Sequence, residues 1–117
     1  MMTILAKDYI ESGFSAEDAA LLTPSIDSAV KETDAKFEID FKGVQFFTTL
    51  FFSNALTRLI GELGKDEYKR RLHVVNLTES GQETYEHALD YAIEFYGKTP
   101  EERKKSGEIA ELILEDL

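Results

Sequence analysis

A change of hydrophobic period inside one stretch, Phe37 to Leu63 (FEIDFKGVQFFTTLFFSNALTRLIGEL), constrains this chain more than any other feature. Phe37, Ile39 and Phe41 alternate with Glu38 and Asp40, the two-residue period of a strand with one strongly buried face. From Phe52 onward the spacing becomes helical, and Phe52, Leu56, Leu59, Ile60 and Leu63 share one face. A strand that runs through a glycine turn into an amphipathic helix is an α/β element. In such folds ligands and partners tend to meet the sheet where a strand ends and a helix begins.

The rest of the chain repeats the alternation. Thr3 to Ile10 reads as a first strand, closed by Ser12 and Gly13. Ser15 opens a helix, with Asp18 three residues on as in a capping box, and Ala19, Leu22, Ile26 and Ala29/Val30 form its apolar stripe. Pro24 interrupts that stripe: either the helix kinks there, or Thr23 caps a second helix with Pro24 at its first position. After the Phe37–Phe41 strand and the turn at Lys42 and Gly43, a helix runs from about Thr49 to Leu63 and stops at Gly64. Leu72 to Leu77 (LHVVNL) is a third strand. Ser80 with Glu83 reads as a capping box for a helix bearing Tyr85, Ala88/Leu89, Ala92 and Phe95/Tyr96 and ending at Gly97. Thr99, Pro100, Glu101 and Glu102 signal one more helix, with Ile109, Leu112 and Ile113 on it.

The order β-α-β-α-β-α-α predicts an α/β fold, a small and mostly parallel sheet with alternating helices joined by right-handed crossovers. A fourth strand is expected at Gln45 to Phe47, at the N-terminus, or from a second copy of the chain. The 117 residues are the size of one domain, here a core over residues 3–97 followed by a helix over residues 100–117.

Charge and composition exclude several function classes. A net charge of −10 repels phosphate backbones and anionic lipid, so neither nucleic acid nor membrane is an expected partner. Lys69, Arg70 and Arg71, with Lys65 nearby, read as a solvated corner between a helix and a strand. There is no cysteine for a disulfide, a thiol nucleophile or a thiolate metal site. No apolar run approaches the ~20 residues of a membrane helix, and the start lacks a signal-peptide pattern, which makes the cytoplasm the expected location. His73 and His87 have no metal-ligand spacing, the seven glycines are isolated and expected at helix ends and turns, and no serine has a nucleophile-elbow context. No cofactor, metal or catalytic group is expected.

The residues Asp40-Phe41-Lys42-Gly43-Val44, followed by Thr48-Thr49 and a helix opening with Phe51 or Phe52, resemble the STAS superfamily. That superfamily comprises the domains of sulfate transporters and anti-sigma factor antagonists. The pattern is closest to a small prokaryotic STAS-like family of unknown function, and the resemblance reaches from about Ile4 to Tyr96. It implies a regulatory protein-interaction module that partners a histidine-kinase-type ATPase or another regulator. In anti-sigma factor antagonists an Asp-Ser-Ser-Gly motif at this helix start carries a phosphorylated serine, and the added charge breaks the complex. Those four positions fall here on Thr48, Thr49, Leu50 and Phe51. The second serine is replaced by Leu50 and the glycine by Phe51, so only Thr48 and Thr49 keep hydroxyls.

Candidate site residues form two groups. The first is Thr48, Thr49, Phe51, Phe52, Ser53 and Asn54, a partner-binding or phospho-acceptor surface in which one threonine also serves as helix cap. Four phenylalanines in seven residues (Phe46, Phe47, Phe51, Phe52) exceed what a core can take there, and Phe47 or Phe51 is expected at the surface as an interface anchor. The second group is Asp40, Asn76, Thr78 and Ser80, a pocket at the strand ends suited to a small anionic ligand or an enzyme. Beside that reading stands a plainer one, in which Asp40 closes the turn at Phe41–Val44 and Asn76 closes its own strand. A homo-oligomer built through the Glu101–Leu117 helix is the third expectation.

Overall fold

A computed structural model describes residues 2–97. Strands β1 (Met2–Leu5), β2 (Phe37–Asp40) and β3 (Leu72–Val75) form a parallel sheet in the order β1-β2-β3, with Ile4, Ile39 and Val74 in one row. Between them come α1 (Ala16–Glu32), then α2 (Thr49–Phe52), a π-helical turn (Ser53–Thr57), α3 (Leu59–Leu63) and α4 (Lys65–Arg71); α5 (Glu79–Gly97) follows the last strand. The α2–π–α3 run is continuous, so the described residues hold an α/β fold of three parallel strands and four helices. Two same-handed crossovers in a 1-2-3 order put the intervening helices on one face. That face carries Ile4, Phe37, Ile39 and Leu72, which pack into one core with Leu22, Ile26, Phe52 and Leu56.

β1 is shorter than the predicted Thr3–Ile10. Past Leu5 the apolar residues stop alternating; Ala6 and Ile10 are four apart, a helical spacing. The chain accordingly curls at Ala6–Asp8, where the Tyr9 and Ile10 amides both donate to the Ala6 carbonyl at 2.9 Å, and both apolar side chains are buried. The predicted fourth strand reduces, among the described residues, to a single bridge between Gly13 and Phe47.

α1 begins as predicted. The Ser15 hydroxyl accepts from the Asp18 amide and the Asp18 carboxylate accepts from the Ser15 amide, each at 3.1 Å. Hydrogen bonds from the Ser15 and Phe14 amides and from the Ser12 and Ser15 hydroxyls hold the Asp18 carboxyl below its ordinary pKa. Pro24 lies inside one helix and does not start a second. Its missing N–H would have bonded the Ala20 carbonyl; the Thr23 hydroxyl reaches that carbonyl at 3.4 Å.

Two features depart from the expected pattern. The segment after Gly64 is helix α4, whose apolar periodicity is carried by Tyr68 and an arginine three residues on. Arg71 is not part of a solvated corner. It is only 4% exposed and donates to the Val30 and Thr33 carbonyls at the end of α1, which otherwise lack helical partners. Lys69 and Arg70 stay exposed, with Arg70 paired to Glu67. The second departure is the π turn: the Arg58 amide bonds the Ser53 carbonyl five residues back at 3.2 Å. Arg58 then uses its side chain to tie this turn to α1, through the Asn54 carbonyl at 2.8 Å and Asp27 at 2.6 Å.

Under α5, the Tyr68 and Tyr85 hydroxyls meet at 2.8 Å. Burial pushes the Tyr68 phenol well above the ordinary tyrosine range, and burial also raises Tyr85.

Candidate interaction site

The segment from Gly43 to Asn54 is positioned by one aromatic ring. Gly43 takes a φ of 88°, which lets the chain turn after β2 with the Val44 amide bonded to the Phe41 carbonyl at 3.0 Å. Phe47 then passes between two close backbone walls: a Cβ at Gly13 or at Gly81 would stand 2.7 Å from its ring. These two glycines end neither a helix nor a turn, contrary to the general expectation for the seven; they make room for an aromatic. The Phe47 ring stacks on Phe52 at 5.3 Å and meets Phe41 edge-on at 5.6 Å.

This clamp settles which phenylalanines are inside. Phe51 and Phe52 are fully buried, and Phe47 is half-buried. Neither Phe47 nor Phe51 is the exposed anchor expected from the sequence; that position belongs to Phe46, 67% exposed, and to Phe14, 62% exposed. The Gly13–Phe47 bridge fixes the Phe47 ring inward, so its strand neighbour Phe46 points out.

Of the two threonines, Thr48 is the cap. Its hydroxyl accepts from the Phe51 amide at 3.1 Å and donates to the Phe14 carbonyl, so both of its bonding roles are taken. Thr49 is exposed and is the accessible hydroxyl of the pair. Asn54 is exposed, donates to the Leu50 carbonyl at 2.8 Å and lies with Asp27 and Arg58 on the α1 side. The surface predicted from Thr48 to Asn54 therefore divides into a cap, a buried pair, Asn54 on the α1 side and a remainder consisting of Thr49 and Ser53.

That remainder lines a groove of about 400 Å³ between α2 and α5, together with Leu50, His87, Ala88 and Tyr91. Leu50 is 56% exposed and Tyr91 65%. The sequence reading did not single out Leu50, His87 or Tyr91 for this surface. A signal was present in Tyr91, an aromatic off the apolar stripe of its amphipathic helix.

The second predicted group behaves differently. Asp40 accepts from the Lys42 amide at 2.8 Å and from the Asn76 side chain at 3.0 Å. The bond from Asn76, then that from Lys42, lowers its carboxyl below the ordinary value. Asn76 takes a left-handed φ of 59°, a conformation asparagine tolerates better than most residues, and so ends β3. Thr78, rather than Ser80, caps α5: its hydroxyl accepts from the Gly81 amide at 3.0 Å and its carbonyl from the Gln82 amide at 2.8 Å. Ser80 lies one residue inside the helix, where its carbonyl bonds Thr84. The predicted Ser80–Glu83 capping box gives way because Thr78 sits directly after the β3 exit and reaches the first free amides. The Asp40, Asn76 and Thr78 side chains thus close onto neighbouring backbone or onto each other, while the Ser80 hydroxyl stays exposed, 3.5 Å from that of Thr78. Among the described residues, Asp40 hydrogen-bonds only neutral groups.

No group of three or more His, Asp or Glu among the described residues is placed to hold a metal, and no described helix is long and apolar enough to cross a membrane. The predicted helix over residues 100–117 lies outside the described residues. No curated protein and no solved structure matches the chain. A family model described as a STAS-like domain of unknown function matches residues 18–82, from the first turn of α1 to the first turn of α5. This span is more than half of the chain, and the chain belongs to that STAS-like family.

Proposed function

We propose that this protein is a non-enzymatic, regulatory interaction module of the cytoplasm that docks a protein partner on the α2–α5 groove. The observation that carries this reading is the pair Leu50 and Tyr91, both more than half exposed, lining one groove beside an accessible hydroxyl at Thr49. Exposed apolar side chains that share a concavity mark partner sites more often than chance surface residues do. Leu50 and Thr49 lie at the start of α2, the helix start that carries partner contacts in the STAS domains this chain resembles, and that resemblance implies a histidine-kinase-type ATPase or another regulator as the partner class. Thr49 is the hydroxyl that a kinase could modify without breaking a helix cap. A phosphate there would add about −1.5 to −2 charge at the groove lip.

The test is affinity capture from native lysate with the wild-type chain and a Leu50→Ser/Tyr91→Ser variant, with intact-mass measurement of the recovered wild-type protein. The reading predicts a partner recovered by the wild type and lost by the variant while the thermal midpoint is unchanged. Equal recovery of every protein by both chains removes it.

A further inference from the structure

Helix α5 carries Glu79, Glu83, Glu86, Asp90 and Glu94 at helical spacings of three and four, which gathers them on one face. All five are exposed, and α5 contains no lysine or arginine. This single helix supplies half of the net charge of −10. None of the five acids joins an ion pair among the described residues; the acids that do are Asp27, Glu62 and Glu67. Each successive pair along the stripe is a like-charge neighbour and disfavours the helix. Glu94 adds a further unfavourable charge in the last turn, at the negative end of the helix dipole.

The stripe runs beside the groove. Glu83 is one helical turn before His87, Asp90 is three residues after it, and Glu94 is three after Tyr91, so these carboxylates flank the α5 wall of the cleft. The cleft is lined by Leu50, Ala88 and Tyr91 together with Thr49, Ser53 and His87, and the acidic stripe occupies the adjoining face of α5, without an ion-pair partner among the described residues. Resting on the interaction-module reading, we propose that the segment docking here is a cationic amphipathic helix. Its apolar side chains enter between Leu50 and Tyr91, and its lysines or arginines lie along Glu83, Asp90 and Glu94. An apolar stripe with basic flanks is the only common peptide surface that matches both features at once. The α5 wall from Glu83 to Glu94 lies beyond residues 18–82, the part the family model matches, so this charge belongs to the chain's own α5.

The test uses the full chain and a helical leucine–lysine peptide about five turns long, with a leucine–glutamate peptide of equal length as control. Binding is read by fluorescence anisotropy and mapped by amide chemical shifts. The expected result is binding of the lysine peptide alone, with shifts concentrated at Leu50, Ser53, His87 and Tyr91. Affinity should fall at least fivefold in Glu83→Gln/Asp90→Asn/Glu94→Gln and should be unaffected by Glu11→Gln/Glu32→Gln/Asp34→Asn, which removes equal charge elsewhere. An equal loss in both triple variants, or shifts scattered away from the groove, overturns the proposal by reducing it to net-charge attraction. The two readings fail separately: a lysate partner lost by Leu50→Ser/Tyr91→Ser but kept by the α5 triple variant preserves docking and removes the cationic character, whereas equal recovery by wild type and Leu50→Ser/Tyr91→Ser removes the module reading itself.

Discussion

The strand-end corner and the α2–α5 groove both hold polar residues that the sequence marks as candidate sites, and the fold treats them in opposite ways. At the corner, the Asp40, Asn76 and Thr78 side chains bond one another or the adjacent backbone, so their polarity serves turns and a helix cap; the Ser80 hydroxyl is exposed. At the groove, Leu50 and Tyr91 stay exposed beside the exposed hydroxyl of Thr49, the helix cap being supplied by Thr48. A buried or partly buried polar group needs a partner, and the corner's groups find theirs within the chain. At the groove, Leu50 and Tyr91 leave more than half of their surface exposed even with Tyr91 stacked on Phe95, which is why the groove and not the corner is the better place to expect a second molecule.

The comparison can be broken most violently from below. Phe52 contacts Phe41, Phe47, Phe51 and Tyr85, and so supports the corner and the groove together. Phe52→Ala should cost about 3–5 kcal/mol, the usual range for an aromatic removed from a packed core. A large fall in the denaturation midpoint, with partner capture lost as a consequence, is the expected outcome; a midpoint near wild type would show that the two regions do not share this platform.

The corner is next. Asn76→Ala removes one bond to the Asp40 carboxylate and should cost about 1 kcal/mol by chemical denaturation, with partner capture unchanged. The pH dependence has a defined sign. The Asp40 and Asp18 carboxyls are both held below the ordinary aspartate value of 3.8 in the folded chain by the hydrogen bonds they accept. The unfolded state therefore binds protons first, and the stability each carboxylate contributes is present above that value and lost as pH falls through the lower folded one. Asp18→Asn should flatten the acid limb of the stability curve, while stability measured at neutral pH also drops by about 1 kcal/mol through the weakened capping box.

The groove should show the smallest effect on folding and the largest on binding. Leu50→Ser and Tyr91→Ser are surface changes, expected to shift stability by no more than about 0.5 kcal/mol. Loss of stability beyond that, measured by the same denaturation curves, would mean that these side chains serve the fold and would erase the contrast with the corner.

Much of the fold was legible because it is written in periods and caps. The alternation at Phe37–Phe41, the helical face from Phe52 and the Ser15–Asp18 pair each dictate local structure without help from distant residues. α4 was not legible, since its buried face consists of Tyr68 and Arg71, and an arginine counts against burial until the α1 carbonyls it bonds are known. The π turn was not legible either, and the contact that ties it to α1, Arg58 with Asp27, joins two helices and is encoded by no local pattern. For the aromatics, sequence put Phe47 or Phe51 at the surface, whereas Phe46 is the exposed one, because the Gly13 and Gly81 walls that hold Phe47 inward come from distant positions. Tyr91 joins the groove only through the packing of α5 on α2.

The most direct test of the contrast is amide hydrogen exchange on the full chain, with and without the captured partner. The account predicts new protection at residues 49–53 and 84–94, with residues 40–44 and 76–80 unchanged. Protection confined to residues 40–44 and 76–80 would contradict it, and would make the strand-end corner the docking site.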